Sequence, residues 1–495
     1  MSRALNHRAT GKRGTASPPE TSPGTGRVAA VVGFLVVVEL LSGVVQSMIP
    51  PLLPRLGTDL HIGTGDLNWI GAVQLVAATV CVPLFARLGD LYGHRLLLRV
   101  AMVCVVAGSV LVAWAPSFEV LLLGRVLQGP LAALLPLEIG LVRGRLTAEG
   151  ARKSVGMLVG ALTCGTGIGF VASGLLGEAL SNVHAILWVP AIATIVCAAL
   201  TFVLVPDTDT RAPGGVDWAG AALLSGGLAA LMLGFSRGAD HGWNQPDTLA
   251  LFTASAILLA AWVMVELRVE HPVVDIRTAT RRSLWPVYTA ALILGVTLYA
   301  SKTAAALFLA APPKKLGYGF GYDTLTIGWM LLPAALCAFL GSALAPRIAR
   351  AIGSRAVLVV GSASIASGFV FLALAHGEPW QFIVADVALG LGLGLGLSML
   401  PVLVLDSSAA DRTGVDTGIY STAKTLGGSL SGAVFAAVLT SMTVKGGRFP
   451  SETAYETVWW ISAGVSLLIA ATAAVLTTTP RPHPGTAAPT PAARA

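Results

Sequence analysis

The sequence predicts an all-α polytopic membrane protein: two six-helix bundles with two additional central helices, fourteen transmembrane helices in all. Three observations carry that prediction. The 495-residue chain is 55% hydrophobic but only 12% charged, whereas soluble domains carry about 25% charged residues. Its apolar residues fall in successive runs rather than one core, each close to the roughly 20 residues that cross a bilayer. A charged loop, ARLGDLYGHRLLLR at 86–99, also returns 260 positions later in decayed form, as PRIARAIGSRAVLV at 346–359.

Taken in order, residues 1–27 are rich in Ser, Thr, Pro, Gly and basic side chains and read as a disordered tail. The first span, 28–51, is of full membrane length, which makes it an anchor and not the short core of a signal peptide. Spans 66–86 and 95–115 flank the charged loop, where Gly89 and Gly93 permit a tight reversal and Asp90 can cap a helix or pair with Arg95. Spans 117–140, 155–178 and 184–205 complete a first bundle over 28–205. A linker, 206–283, holds two more at 217–237 and 247–268. The second bundle, 284–479, contains 284–309, 324–345, 354–375, 380–405, 417–443 and 456–477. Residues 480–495, dense in Pro and Ala, read as a second disordered tail.

The net charge of +7 does not read as a nucleic-acid face, because Lys and Arg gather in short loops on alternate sides of the spans. The tally is 23 on one side and 6 on the other, with Arg125, Lys302 and Lys424 inside spans. By the positive-inside rule both termini face the cytoplasm of a cell (plasma) membrane. Abundant Ala and Gly, with Arg well above Lys, point to a GC-rich bacterial source. The five cysteines lie in apolar runs without metal-type spacing and read as small hydrophobes, so no metal is expected. GLGLGLGL at 390–397 lacks the Lys-Ser/Thr of a phosphate loop and reads as a face for close helix packing. Tryptophans 69, 114, 188, 285, 329, 459 and 460 lie near span ends, as in an interfacial belt.

The 260-residue offset sets Arg87 on Arg347, Gly93 on Gly353, Arg95 on Arg355 and Asp90 on Arg350, so one copy alone keeps the acid. With a one-residue shift, Arg125 falls on Asp386 and Gly129 on Gly390. An ionisable group at the bilayer centre costs about 2.5–3.5 kcal/mol and marks a pathway by default. Glu39 lies mid-span in the first run, where a short side chain cannot snorkel; it reads as a proton carrier or substrate counterion, or else as a structural carboxylate. Arg125, with Gln128 and Gly129 beside it, reads as a fixed cation acting on Glu39 across adjacent functional helices. Lys302 and Lys424 lie nearer opposite membrane faces; Asp386 is close to the outer edge, and Glu138 close to the cytoplasmic end of its span. Each of these four has a solvated reading beside a functional one.

These motifs carry a resemblance. The 86–99 loop resembles the G-x-L-a-D-r-x-G-r-k signature of the major facilitator superfamily, and LLLGRVLQG at 121–129 is similar to the R-x-x-Q-G fourth-helix signature of its proton-coupled exporters. GVDWAGAALL at 215–224, TGIYSTAKTLGGSLSGAV at 417–434 and the span count resemble its fourteen-helix drug:proton antiporter subfamily. Departures are Ala86 and Leu91 in the loop, and Val45 where the subfamily carries a first-helix aspartate. The fifth-helix antiporter signature survives only as GFVASG at 169–174, with Phe170 in the place of proline.

The resemblance implies the major facilitator fold and, by alternating access, proton-coupled efflux of a hydrophobic or cationic small molecule such as a drug or antibiotic. No ATP-binding motif is present, so the proton gradient supplies the energy and no cofactor is expected. The expected pathway residues are Glu39, Arg125, Gln128, Gly129, Lys302, Asp386 and Lys424. The expected gating loop is Leu88, Gly89, Asp90, Gly93 and Arg95, with Asp90 and Arg95 bridging to a neighbouring helix end. The expected partners are a small-molecule substrate, protons and the lipid bilayer, with the protein acting as a monomer. A facilitator or symporter for a metabolite is the alternative. A polytopic enzyme or sensor is more remote, since the spans show no His, Asp or Ser cluster of a catalytic kind.

Overall fold

The computed structural model describes residues 25–63, 66–143, 148–205, 215–270, 272, 274–280, 284–407, 413–444 and 449–475. Fourteen of its helices are long and apolar enough to cross a membrane. In chain order they are α1 (Thr25–Ser47), α2 (Asn68–Tyr92), α3 (His94–Trp114), α4 (Phe118–Val142), α5 (Ala148–Ala179), α6 (Val183–Leu204) and α7 (Trp218–His241). There follow α8 (Pro246–Glu266), α9 (Trp285–Ala310), α10 (Thr324–Ile352), α11 (Ser354–Leu374), α12 (Pro379–Ser407), α13 (Thr413–Ser441) and α14 (Glu452–Val475). The end of the bundle where α1 begins is the near end, and the opposite one the far end. The tails expected at 1–27 and 480–495 lie outside the described residues, except 25–27, where α1 has already begun.

The two sets of six helices pack by the same plan. In the first, α1 lies on α5, α2 on α4 and α3 on α6; in the second, α9 lies on α13, α10 on α12 and α11 on α14. Between the sets, α2 meets α13 and α5 meets α10. The extra hairpin α7–α8 rests against the α2–α13 seam, where Met232 packs with Trp69 and Ala433. Its N-terminus is capped by Asp217, which accepts from Gly220 N at 2.8 Å. The buried Glu266 carboxylate accepts from the Trp262 indole at 2.9 Å and from Val274 N at 3.3 Å, which ties the following linker to α8.

Close approach at small residues holds the bundles together, because lipid offers no hydrophobic drive between helices. A Cβ on Gly43 or Gly165 would strike the backbone carbonyls of Leu162 or Leu40 across the α1–α5 contact. Gly295 and Gly427 meet Lys424 O and Leu292 O in the same way across α9–α13. The 390–397 run divides its glycines among three partners: Gly390 and Gly394 face α10, Gly392 faces α11 and Gly396 faces Leu294 of α9.

Three expectations are corrected. The 86–99 segment is hardly a loop: α2 runs through Leu88, Gly89 and Asp90 to Tyr92, and Gly93 alone breaks the chain before α3. Gly93 takes φ 100° and ψ 131°, and Gly353 takes φ 86° and ψ 149°, a region closed to a Cβ-bearing residue. Fourth-span residues form no continuous helix; Gly129–Ala133 is a 3-10 turn between Phe118–Leu127 and Leu134–Arg143. Pro130 lacks the N–H that an α-helix would use there. Trp69 and Trp459 are buried, unlike the exposed Trp114, Trp188, Trp285, Trp329 and Trp460, and so do not belong to an interfacial belt. Trp459 stacks instead in a far-end aromatic cluster with Phe308, Tyr455 and His376.

Candidate functional site

A cavity of about 180 Å³ lies between the two sets of helices, mid-way along them. Its walls come from α1, α2, α4 and α5 on one side and from α9, α10, α12 and α13 on the other, the same four positions of each set, with Ile49, Pro50 and Leu53 of the short helix after α1 added to the first side. Among the described residues, the hairpin α7–α8 contributes nothing to the lining. The α5–α10 seam widens along its length. A Cβ on Gly174 would meet Leu325 at 2.7 Å near the far end, one on Gly160 would find only Phe339 at 3.9 Å, and Gly156 has nothing within 4 Å. The far end is thus the closed one. There Arg55, on the short helix Ile49–Asp59 after α1, faces Asp323 at the start of α10. Hydrogen bonds from Thr326, chiefly, and the nearby Arg55 hold the Asp323 carboxyl below the usual carboxylate range.

Arg125 is buried in the cavity wall at 3% exposure. Its Nε donates to Ile70 O at 3.0 Å, Nη1 to Gln128 Oε1 at 2.6 Å, and Nη2 to Gln74 Oε1. Gln128 in turn donates to Ser109 Oγ at 3.0 Å, which fixes α4 on α3. Gly129 lets α4 approach Ala77 of α2, since a Cβ there would lie 2.7 Å from the Ala77 Cβ. The break at Gly129–Ala133 begins just beyond this cluster; 3-10 stretches inside a helix often mark hinges.

The structure does not bring Arg125 to Glu39. Glu39, 1% exposed, instead lies beside Glu138 of its own bundle and within electrostatic reach of Lys424 from α13. Glu138, placed by the sequence near a span end, has no exposed surface and interacts with Glu39 through its carboxyl. The near-end break in α4 restarts the helix at Leu134, and it is this segment that carries Glu138 inward to α1. Two carboxyls that meet out of water cannot both carry a charge there at low cost.

In the second set, Asp386 is 7% exposed and sits next to Lys302, not solvated at an outer edge. The Lys302 ammonium lies 5.4 Å from the centre of the Phe170 ring, a cation–π contact that crosses from α9 to α5. Lys424 lies 5.7 Å from the Tyr420 ring on its own helix. Lys302 and Lys424 both line the cavity, as Arg125 does; Glu39, Glu138 and Asp386 stand behind the wall.

At the near end, Asp90 meets His94 at 3.3 Å across the α2–α3 break. The His94 ring fills the space that a Cβ on Gly140 of α4 would take, so the acid, the histidine and Gly89 form a packed corner against α4. Arg95 makes an interaction within the chain, and Arg87 donates to Gly215 O at 3.3 Å in the segment leading to α7. Sequence reasoning missed Glu138, Gln74 and Phe170 as members of these clusters. A glutamate and a glutamine inside apolar spans were visible signals, but which helix they faced was not.

The profile of the Major Facilitator Superfamily matches residues 35–431 and 291–495 of the chain. The lincomycin resistance protein of Streptomyces lincolnensis is 26% identical over 457 residues, 90% of this chain and 90% of that protein. The tetracenomycin C resistance and export protein of Streptomyces glaucescens is 26% identical over 405 residues, 81% of this chain and 73% of that protein. Among solved structures, the nucleoside transporter NupG superposes with a TM-score of 0.60 at 14% identity, covering 91% of this chain and all of its own.

Proposed function

The chain belongs to the Major Facilitator Superfamily, and from that premise we propose that it exports a hydrophobic small molecule of the drug or antibiotic type, driven by inward proton flow. The observation that carries this reading is a central cavity walled symmetrically by both bundles, with a buried carboxyl pair behind it. Rocking of the two bundles about the cavity exposes it to one side and then the other. The Glu39–Glu138 pair takes up and releases the proton, and Lys424 of the opposite bundle supplies the charge that changes its surroundings. The relatives named for lincomycin resistance and tetracenomycin C export support the cargo class.

In this reading the near end faces the cytoplasm, a placement that the distribution of Lys and Arg supports, and the closed far end faces outward in a bacterial plasma membrane. The protein works as a monomer in the bilayer, without a cofactor. The Asp90–His94 corner against α4 biases the near-end gate. Phe170 in place of the signature proline favours a second reading, a facilitator without proton coupling. One experiment separates the two: accumulation of a panel of drugs in cells expressing the chain, with and without a proton uncoupler. Efflux that the uncoupler abolishes is the expected result. Efflux of every exported compound continuing unchanged in its presence sinks proton coupling, and no export of any compound sinks the efflux reading itself.

A further inference from the structure

We propose that the cargo is an organic anion: a hydrophobic molecule carrying a carboxylate, phenolate or sulfonate. This assignment rests on the efflux reading of the cavity and narrows its cargo class. The charged groups that line the cavity are Arg125, Lys302 and Lys424, and among the described residues no Asp or Glu lines it. Lys302 has Asp386 behind it, and Lys424 has Glu39. Arg125 has no such counter-charge: its donors go to a backbone carbonyl and to two glutamine oxygens, all neutral. A guanidinium holds its proton under all working conditions, so Arg125, buried at 3% exposure, keeps a permanent positive charge in the wall.

Charges act strongly in such surroundings. A cationic cargo meets repulsion from Arg125 and finds no acid in the cavity wall, among the described residues, to pair with. An anion gains an attractive partner in Arg125, whose planar fork suits a carboxylate in two-point contact. Thr163, Thr166 and Thr303 add neutral hydroxyls, and Leu298, Leu393 and Phe435 provide the apolar surface that a ring system needs. An inside-negative membrane potential also drives an anion outward, in concert with an inward proton.

The test uses two xanthene dyes of nearly the same shape and opposite charge, fluorescein (anion) and rhodamine 123 (cation, its carboxyl blocked as the methyl ester). Binding is measured by fluorescence anisotropy on the purified full chain in nanodiscs. Fluorescein is expected to bind at least tenfold more tightly than rhodamine 123. Arg125→Gln should remove most of that preference, and Arg125→Lys should retain much of it; a melting curve checks that each variant folds. If Arg125→Gln does not fold, Lys302→Gln and the wild-type dye ratio still decide. Equal binding, tighter binding of rhodamine 123, or binding of neither dye overturns the anion assignment. Efflux of the drug panel from cells fails or stands separately from these results.

Discussion

Replacing Glu39 by Gln tests the coupling step most directly. Glu39 is on α1, and the Lys424 that acts on it is on α13, so rocking of one bundle against the other alters their separation. Lys302 and Asp386 both ride on the second bundle, and their pairing survives the same motion. One alternating carboxyl site implies one proton per cycle. A pH unit is worth about 1.4 kcal/mol for one proton, which is about a tenfold concentration ratio of cargo at equilibrium. Proteoliposomes containing the full chain, with voltage clamped by potassium and valinomycin, can be loaded with an exported compound and taken through imposed pH differences. Wild type should show a slope of about one decade of accumulation per pH unit. Glu39→Gln should show a flat line while still exchanging labelled for unlabelled cargo without a gradient. An unchanged slope in Glu39→Gln would falsify the assignment, and a wild-type slope near two decades would refute one-proton coupling. The same flat line is expected of Glu138→Gln, because the two carboxyls act as one unit.

Two further predictions concern the ends of the bundle. Asp90→Asn removes one member of the Asp90–His94 pair, which is half-exposed and worth only about 0.2–1 kcal/mol; a several-fold shift between inward- and outward-facing populations, read by spectroscopic distance measurements, is expected, and unchanged populations with an unchanged transport rate would end the gating role. Asp323→Asn keeps a side chain that can cap α10 but removes the negative charge that faces Arg55 and the helix N-terminus at the closed end, worth about 0.3–1 kcal/mol. Because the Asp323 carboxyl is held below its ordinary range, its contribution is complete above that range and lost as pH falls through its lowered value. A thermal melt of wild type against Asp323→Asn should therefore differ at neutral pH and converge in strong acid, and an equal difference at both would refute the assignment.

Much of the architecture was legible along the chain. The apolar runs had membrane length, and a helix is the one element that satisfies its own backbone in lipid without closing a sheet. The 86–99 repeat located the equivalent Gly93 and Gly353 because a positive φ leaves few residue choices. What it could not reveal was the length of the break, since Asp90 and its neighbours have no β-branched or proline residue to stop α2 before Gly93. Glu39, Arg125, Lys302 and Lys424 stood out because a charge inside a span is rare. Which of them meet across helices did not, since that is set by how the helices pack.

The sequence by itself determined the class of protein, the count of spans and which residues carry charge into the membrane, because burial in lipid penalises every exception. Only the tertiary structure decided who faces whom. It took Arg125 away from Glu39 and gave it Gln74, Gln128 and Ile70. It brought Glu138, from beyond the Gly129–Ala133 break, to Glu39, and it turned the three cations toward one cavity with the acids behind them. The physical reason lies in the glycine contacts of α1 with α5 and of α9 with α13. They set helix crossing and rotation to within a carbonyl's width, and no periodicity along a single helix specifies which neighbour its polar face will meet.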